Sequence, residues 1–256
     1  PYRWGMPEEE AVERSLHELD ALFRHEVTPE NIGAMLVEPQ QGEGGYHPAP
    51  AAFLEALRSR CDDYGMMLVF DEVQSGFGRT AEWLATDHYR VAPDIVALGK
   101  GIANGLPLSA YGASREIIDG WPVGAHGTTF GGNPVSCAAS VAVLDTMGDL
   151  LPHARSLSER AFQRLGEMQG RHPTIGEVRG LGLMIGVELV SDPERRTPAP
   201  EAFEHVRAYC FERELIVIEC GPDGNVIRFI PPLVTTREEL DWAIDLIDEA
   251  LTDWES

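Results

Sequence analysis

Lys100 stands out from the composition because it is the only lysine among 256 residues, whereas the other 19 basic residues are arginines. It follows the apolar run 95–98 and lies between Gly99 and Gly101. A lysine amine loses its proton readily when desolvated and can form a Schiff base, which arginine cannot do. A strand that leads this side chain into a glycine-rich turn favours covalent chemistry. The alternative is an ordinary surface lysine in a loop.

Two carboxylates also follow apolar runs in the first half of the sequence. Glu38 follows 32–37, and Asp71 follows 66–70. Ligands of open α/β sheets bind outside the carboxyl ends of the strands, so we expect these groups and Lys100 to face one crevice. A buried Asp71–Lys100 ion pair alone would stabilise the fold poorly, because desolvation offsets most of the attraction. A ligand that uses both groups explains them better.

Pyridoxal phosphate (PLP) is a cofactor that needs such a set of residues. A lysine forms an aldimine with its aldehyde, and an aspartate keeps the pyridinium nitrogen protonated, which makes the ring an electron sink. Gln74 is a neutral donor that could meet the phenolate oxygen. Thr128 and Thr129 lie in a glycine-flanked loop before a predicted helix start, a favourable place for phosphate oxygens. The alternative for that loop is a simple cap and turn.

Arg228 lies in the apolar run 226–230. Its neighbours are apolar on both faces of the predicted strand, so a guanidinium there is costly unless it meets an anion. The alternative is an arginine that extends to water from an edge strand.

Periodicity and turn signals predict alternating helices and strands. In the first part of the chain, helices are predicted over 7–25, 50–65, 133–147 and 149–170, and strands over 32–37, 66–70, 95–98 and 108–112. After Pro173, strands are predicted over 183–189, 215–218 and 226–230, and helices over 200–213 and 237–254. Thr236 and Glu239 have the spacing of a capping box. The order predicts an α/β domain over 1–155 with a mainly parallel sheet, and a smaller α+β domain over 156–256.

The composition narrows the functional classes. A net charge of −22 argues against nucleic acids and anionic membranes as partners. The absence of an 18-residue apolar run predicts no membrane span. Four scattered cysteines indicate free thiols in a reducing cytoplasm, and the histidine spacing predicts no metal site. The first residues contain no initiator Met and no apolar leader, so the chain reads like the middle of a longer protein.

Several segments together resemble the class III, omega-amino-acid type aminotransferases, of which 4-aminobutyrate aminotransferase is the best-known member. They are 38–45 (EPQQGEGG), 71–80 (DEVQSGFGRT), 98–101 (LGKG), 129–134 (TFGGNP), 178–188 (VRGLGLMIGVE) and 225–233 (NVIRFIPPL). The resemblance implies a PLP-dependent enzyme of fold type I. It also implies that the chain comprises the second half of the large, mainly parallel-sheet domain, followed by the small C-terminal α+β domain. The N-terminal part of family members, with a turn that cradles the phosphate and an aromatic ring over the cofactor, has no counterpart here.

The resemblance implies a role for each matching cofactor residue. Lys100 would form the aldimine and move the proton, and Asp71 would pair with the pyridine nitrogen. Gln74 would contact the phenolate oxygen, and Val73 would pack against one ring face. Thr129 would bind the phosphate in the partner's site, across the interface of a homodimer with shared active sites.

The resemblance also implies how substrate carboxylates bind. Arg228 would hold the carboxylate of 2-oxoglutarate or glutamate. Glu43 would pair with Arg228 when the donor carries no α-carboxylate, and would swing away when glutamate binds. Glu38, at the start of the same motif, is assigned to the substrate side.

The expected function is transfer of an amino group from an omega-amino acid or related amine to a 2-oxo acid, either 2-oxoglutarate or pyruvate, in the cytoplasm. 4-Aminobutyrate, ornithine, acetylornithine, β-alanine and long omega-amines all remain open as donors. One alternative is an amino-acid racemase or aminomutase of the same fold. The other is a non-catalytic truncated subunit.

Overall fold

A four-stranded sheet forms in the first half of the chain. The structure is a computed structural model and describes residues 2–256, apart from the side chain of Arg3. Its first elements are α1 (Glu8–His25), β1 (Ala34–Val37), α2 (Ala51–Tyr64), β2 (Met67–Asp71), β3 (Ile95–Leu98), β4 (Ala110–Ala113) and α3 (Arg115–Asp119). The strand order is β1-β2-β3-β4, with β1, β2 and β3 parallel and β4 antiparallel. The prediction of an α/β fold with a mainly parallel sheet is confirmed.

The sheet and α2 share one apolar core. Leu68 and Phe70 of β2 are fully buried, and they belong to the same cluster as Leu54 and Leu57 of α2. The helix ends as predicted at Gly65, which adopts the left-handed conformation with φ of 70°. A residue without a Cβ takes this conformation at little cost, so the chain turns directly from α2 into β2.

One long helix, α4 (Pro134–Gln169), replaces the two helices predicted over 133–147 and 149–170, so that prediction was wrong. The Asn133 side chain caps its start by accepting from the amides of Val135 and Ser136. Gly148 and Pro152 lie inside the helix, and both residue types disfavour a helix interior. The second half of the helix nevertheless buries a continuous stripe, and tertiary packing outweighs local propensity. That stripe consists of Ala154, Leu157, Ala161, Leu165 and Met168.

Within residues 2–256, α4 is the one helix whose length and composition would allow it to cross a membrane. Of the 18-residue stretch that is apolar enough to cross a membrane, 17% is buried inside the structure. The sequence did not predict such a helix because Asp145 and Asp149 interrupt the apolar run in its first half. Its second half contacts β-strand and helix neighbours in the apolar core of the second sheet, which is the environment of a core helix.

The second sheet is antiparallel. Its elements are β5 (Ile175–Leu181), β6 (Met184–Asp192), β7 (Thr197–Pro198), α5 (Pro200–Phe211), β8 (Glu219–Cys220), β9 (Val226–Phe229) and α6 (Arg237–Glu255). The order is β5-β6-β9-β8, and β7 pairs with β6. The strand predicted over 215–218 was wrong because the pairing with β9 begins only at Glu219. The sequence did not predict β5, whose glycines interrupt the apolar pattern.

The start of α6 is the predicted capping box. The Glu239 amide donates to the Thr236 hydroxyl at 3.2 Å, and the Thr236 amide donates to the Glu239 carboxylate at 2.8 Å. The boundary between 155 and 156 falls inside α4, and the division into two domains stays a prediction.

Candidate active site

Glu38, Asp71 and Lys100 lie at one edge of the first sheet. The parallel register pairs Val37 with Phe70 and Asp71 with Ala97, so all three strands end together. Lys100 itself has a φ of 43°, a conformation that costs a residue with a side chain roughly 1–3 kcal/mol. The three residues therefore lie at the same end of adjoining strands, and the expectation that they face one crevice stays a prediction.

The amide of Gln74 joins Lys100 to Arg228. With the amide oxygen turned toward both donors, Oε1 accepts from Nζ of Lys100 at 2.8 Å and from Nη2 of Arg228 at 3.2 Å. Among the described residues, Lys100 forms no ion pair with Asp71, whose Oδ1 accepts from the Val73 amide at 2.9 Å. The simple Asp71–Lys100 pair is thus absent, and the lysine meets a neutral acceptor.

The other two nitrogens of Arg228 also have acceptors. Nε donates to the Tyr46 hydroxyl at 3.1 Å, and Nη1 lies 2.9 Å from Oε1 of Glu43. The Arg228 side chain is 12% exposed, whereas that of Glu43 is 73% exposed. Burial acts to lower the pKa of Arg228, but the Tyr46 hydrogen bond and the Glu43 charge raise it above its ordinary value. The guanidinium is held by the buried Tyr46 on one side and faces an exposed carboxylate on the other.

A cavity of about 540 Å³ adjoins this ion pair. Glu38, Glu43, Phe53 and Pro222 are among its lining residues, whereas Lys100 and Asp71 are not. Glu38 also accepts from the Gly42 amide at 2.6 Å, which fixes the turn that leads to Glu43. The cavity therefore lies beside the two glutamates rather than over the lysine.

Thr128 and Thr129 lie on an exposed loop between α3 and α4. Across residues 2–256, no hydrogen bond joins either threonine side chain to Lys100, Asp71 or Gln74. The role of these threonines in a partner's site stays a prediction.

Nearly the whole chain also matches a known family. Residues 2–251 match the model described as aminotransferase class III. The chain belongs to the class III aminotransferases. The resemblance inferred from the motifs is thereby confirmed.

Relatives of this aminotransferase chain include enzymes of two kinds. The 4-aminobutyrate aminotransferase GabT of Escherichia coli (strain K12) is 36% identical over 247 residues, which is 96% of this chain and 57% of that protein. The leucine/methionine racemase of Thermococcus litoralis is 40% identical over 241 residues, covering 93% of this chain and 54% of that protein. The chain thus spans a little over half the length of these curated relatives.

A solved structure confirms the fold type. The taurine:2-oxoglutarate aminotransferase of Bifidobacterium kashiwanohense, in complex with PLP and glutamate, superposes with a TM-score of 0.89 at 28% identity. The match covers 97% of this chain and 57% of that one. The solved structures that resemble this chain therefore include a protein in complex with PLP.

The aminotransferase chain has groups that fit the ring end of PLP. An amine at Lys100, a carboxylate at Asp71 and an amide at Gln74 lie on adjoining strand ends. Gly99 packs so closely on Val73 that an added Cβ would approach its side chain to 3.2 Å, which fixes Val73 beside the lysine. The donor set suits a protonated pyridine, a phenolate and an aldehyde.

Glu72 anchors this site, although the sequence pattern indicated only a polar loop there. Its side chain is fully buried and accepts four hydrogen bonds. The donors are the Ser75 hydroxyl, the Ala85 amide, and the amide and hydroxyl of Thr86. The sequence signal that could have indicated this role is a second carboxylate directly after Asp71, where a buried strand ends. Its contacts fix the loop that carries Val73 and Gln74.

Arg79 ties the same loop to the second sheet. Its Nη1 donates to the carbonyls of Pro231 at 2.7 Å and Leu183 at 3.3 Å. The Leu183 amide donates in turn to the Arg79 carbonyl at 3.0 Å. Burial lowers the pKa of Arg79. The candidate site thus includes residues of both sheets.

Proposed function

We propose that this chain carries the lysine-bearing part of a PLP-dependent aminotransferase. That enzyme moves an amino group from an omega-amino acid or related amine to 2-oxoglutarate or pyruvate. The observation that carries the proposal is the connected set Lys100–Gln74–Arg228–Glu43. It joins a reactive amine to a guanidinium of the kind that binds carboxylates through charge-assisted hydrogen bonds.

PLP would supply an electrophilic aldehyde and an electron sink at the sheet edge. Lys100 would hold the group through its amine and would take up or return a proton at Nζ. Asp71 would keep the pyridine nitrogen protonated. Gln74 would donate to the phenolate from its NH2 group, and Val73 would cover one face of the ring.

Arg228 and Glu43 would select between two kinds of substrate. Glu43 is the exposed partner of the pair, so water can hydrate its carboxylate when the side chain rotates away from Arg228. Arg228 would then bind an incoming α-carboxylate, while Tyr46 and Gln74 keep its other nitrogens in place. A donor without an α-carboxylate would leave the Glu43 pair intact.

A racemase is the second candidate, because the 40%-identical relative from Thermococcus litoralis is a leucine/methionine racemase. Both reactions would use Lys100 for proton transfer. Incubation of the enzyme with amino acids, with and without a 2-oxo acid, separates them. We expect turnover only with the oxo acid; inversion at the α-carbon without it would favour the racemase.

Trapping the cofactor tests the role of Lys100. We expect PLP and borohydride to add one pyridoxyl group to the chain, and peptide mapping to locate it at Lys100. Since this is the only lysine, the amino terminus is the only competing amine to distinguish. Lys100→Ala should remove the adduct and abolish transamination by the enzyme. If the wild-type chain forms no adduct, the interpretation as a non-catalytic truncated subunit gains support.

We propose further that the enzyme is a homodimer with shared active sites. The loop that carries Thr129 is exposed, and apolar side chains around it also face solvent, as at Val123, Phe130 and Val135. Mixing inactive Lys100→Ala with a Thr129→Val variant should restore up to about a quarter of the wild-type activity, because half of the hybrid sites are intact. Sites formed within one chain would show no such recovery.

A further inference from the structure

The segment between β1 and α2 docks on the second sheet. We call residues 40–48 the carboxylate loop, because they include Glu43. The side-chain amide of Gln40 donates to the Met184 carbonyl at 2.7 Å. The backbone amide of Gly221 donates to the Glu43 carbonyl at 2.9 Å. The loop thus leaves the first sheet and is held by the backbone of the second.

Arg179 of β5 makes the most extensive contact with this loop. Its Nε and Nη2 both donate to the Gly45 carbonyl, at 2.9 and 2.7 Å. Its Nη1 donates to Glu177 at 2.8 Å and also to Glu188. The Arg179 and Glu188 side chains are buried, at 8% and 9% exposure. A planar guanidinium with two donors on one carbonyl fixes both the position and the direction of that carbonyl.

Glycines allow the loop to approach this closely. Gly45 has a φ of 116°, and a Cβ there would lie 3.3 Å from Nη2 of Arg179. On the facing strand, a Cβ at Gly186 would lie 3.0 Å from the Tyr46 side chain and 3.3 Å from the Gly45 carbonyl. The backbone of the carboxylate loop therefore lies flat against β6 at the point that Arg179 holds.

A contribution to stability alone does not account well for the buried contacts of Arg179 with Glu188 and the Gly45 carbonyl. A buried ion pair is often no more stabilising than apolar residues of similar volume, because the charges lose their hydration. What the arrangement provides is orientation of a backbone carbonyl between two residues of the site. Glu43 lies two positions before Gly45 and Tyr46 one position after it, and both contact Arg228.

We propose that Arg179 is a positioning residue for the carboxylate site. It holds the carboxylate loop through Gly45, so that fully buried Tyr46 keeps the Nε of Arg228 in place. Glu43 then exchanges with a substrate carboxylate by rotation of its side chain, while its backbone stays fixed on Gly221. The inference rests on the proposed function for the role of Arg228, but not for the restraint on the loop.

Hydrogen–deuterium exchange tests the restraint without reference to activity. We expect Arg179→Lys to accelerate exchange in a peptide covering 40–48 by about tenfold or more, since one ammonium cannot replace two directed donors. Arg160→Lys is the matched control, because Arg160 forms a two-nitrogen contact with Asp241 between α4 and α6. It should leave the loop unchanged. Equal exchange in all three proteins would overturn the proposal.

Binding of glutarate tests the consequence for Arg228. We expect Arg179→Lys to weaken glutarate binding and raise the KM for 2-oxoglutarate, each by about tenfold, with kcat changed less than about twofold. A purely structural role would lower the melting temperature and leave glutarate affinity unchanged. Glu177→Gln removes the charge from one acceptor of Arg179 at a less buried position, and a smaller shift in the same direction is expected if the lysine variant fails to fold.

The two proposals fail in different ways. If the wild-type protein binds no glutarate, the proposed role of Arg228 is wrong. The hydrogen–deuterium exchange measurement then remains as the test of whether Arg179 restrains the carboxylate loop. If the wild type binds glutarate and Arg179→Lys binds it equally well, the positioning role is wrong and the proposed function stands.

Discussion

Single residues of the site work through shared acceptors. The amide oxygen of Gln74 has two lone pairs, and the structure uses both, one for Lys100 and one for Arg228. A neutral acceptor holds the two side chains close together without adding a charge that would compete for either. The lysine and the carboxylate-binding arginine consequently share one side chain, so a change at Gln74 would reach both ends of the site.

Glu72 gives the clearest prediction at this scale. Each of its carboxylate oxygens accepts two hydrogen bonds in a fully buried position. Glu72→Gln would replace one oxygen by an NH2 group that cannot accept, leaving two donors without a partner. Each unsatisfied buried group costs about 1–3 kcal/mol, so we expect a loss of at least about 2 kcal/mol in urea unfolding.

A milder change provides the control for Glu72. Ser75→Ala removes one donor and leaves the carboxylate with three, so it should cost only about 1 kcal/mol. Equal losses of stability for the two variants would contradict this explanation, because Glu72→Gln leaves two buried donors without an acceptor and Ser75→Ala leaves none.

The sequence predicted those site residues whose types follow from the chemistry. Lys100 and Asp71 follow apolar runs, and Arg228 is a charge inside one, so each violates a local pattern. Tyr46 and Arg179 were missed because their roles arise from pairing across the fold: the Arg179–Gly45 contact joins residues 134 positions apart. A buried tyrosine and one arginine among 19 give no local signal of such contacts.

At the scale of elements, α4 contains a glycine that weakens it. Gly148 lies inside the helix, and an added Cβ there would meet no atom within 4 Å. Alanine is about 1 kcal/mol more favourable than glycine in a helix interior, so Gly148→Ala should raise the free energy of unfolding by about 0.5–1 kcal/mol. Urea unfolding followed by circular dichroism measures this change.

Gly65 provides a control of opposite sign. A Cβ added there would likewise meet no atom within 4 Å, but its φ of 70° is strained for alanine. Gly65→Ala should therefore destabilise the chain by about 1 kcal/mol. Stabilisation by both substitutions would contradict the conformational argument, since the space around the two glycines is equally open.

Three titratable residues, His172, Asp248 and Glu255, form a cluster that holds the C-terminal end of α6. His172 lies 2.8 Å from both Asp248 and Glu255. Burial acts to raise the pKa of Asp248, but hydrogen bonds from Arg171 and His172 outweigh it and leave the value below its usual range. The pKa of Glu255 is likewise opposed by burial and lowered overall, by hydrogen bonds from Thr174 and His172.

This cluster predicts a pH dependence of stability. A carboxylate with a lower pKa in the folded chain stabilises the fold above its unfolded pKa, about 3.9 for Asp and 4.3 for Glu, and loses that contribution as the pH falls through the folded value. We expect Glu255→Gln to cost about 1–2 kcal/mol at pH 7, and the gap to the wild type to close below about pH 4. Exposed Glu249 in the same helix provides the control substitution, Glu249→Gln. If the difference in unfolding free energy between the wild type and Glu255→Gln grew as the pH fell, the predicted direction of the pH dependence would be wrong.

Local signals predicted the caps at Gly65, Asn133 and Thr236 because each depends on a few neighbouring residues. They failed for α4, where Gly148 and Pro152 indicate a break that tertiary packing overrides. They failed for β5 as well, because its place in the sheet depends on pairing with β6 rather than on its own alternation. Short-range chemistry therefore predicted where elements begin, whereas long-range packing decided how far they extend.

At the scale of the whole molecule, the charge balance predicts the response to salt. There are 42 acidic and 20 basic residues, so a net charge of −22 remains even if every base is paired. Surface ion pairs contribute only about 0–1 kcal/mol each, and like-charge repulsion over the whole surface opposes the compact state. Repulsion should therefore outweigh attraction at neutral pH.

We expect the urea midpoint at pH 7 to rise as NaCl increases from about 0.02 to 0.5 M, because the Debye length shortens and screens the repulsion. Near pH 4.6, the isoelectric point, the net repulsion vanishes and salt screens mainly the remaining attractive pairs. The same addition of salt should then have no effect or lower the midpoint. KCl provides the control, since screening depends on ionic strength and not on the cation. A fall in stability with salt at pH 7 would mean that the arginine–carboxylate pairs outweigh the excess of negative charge.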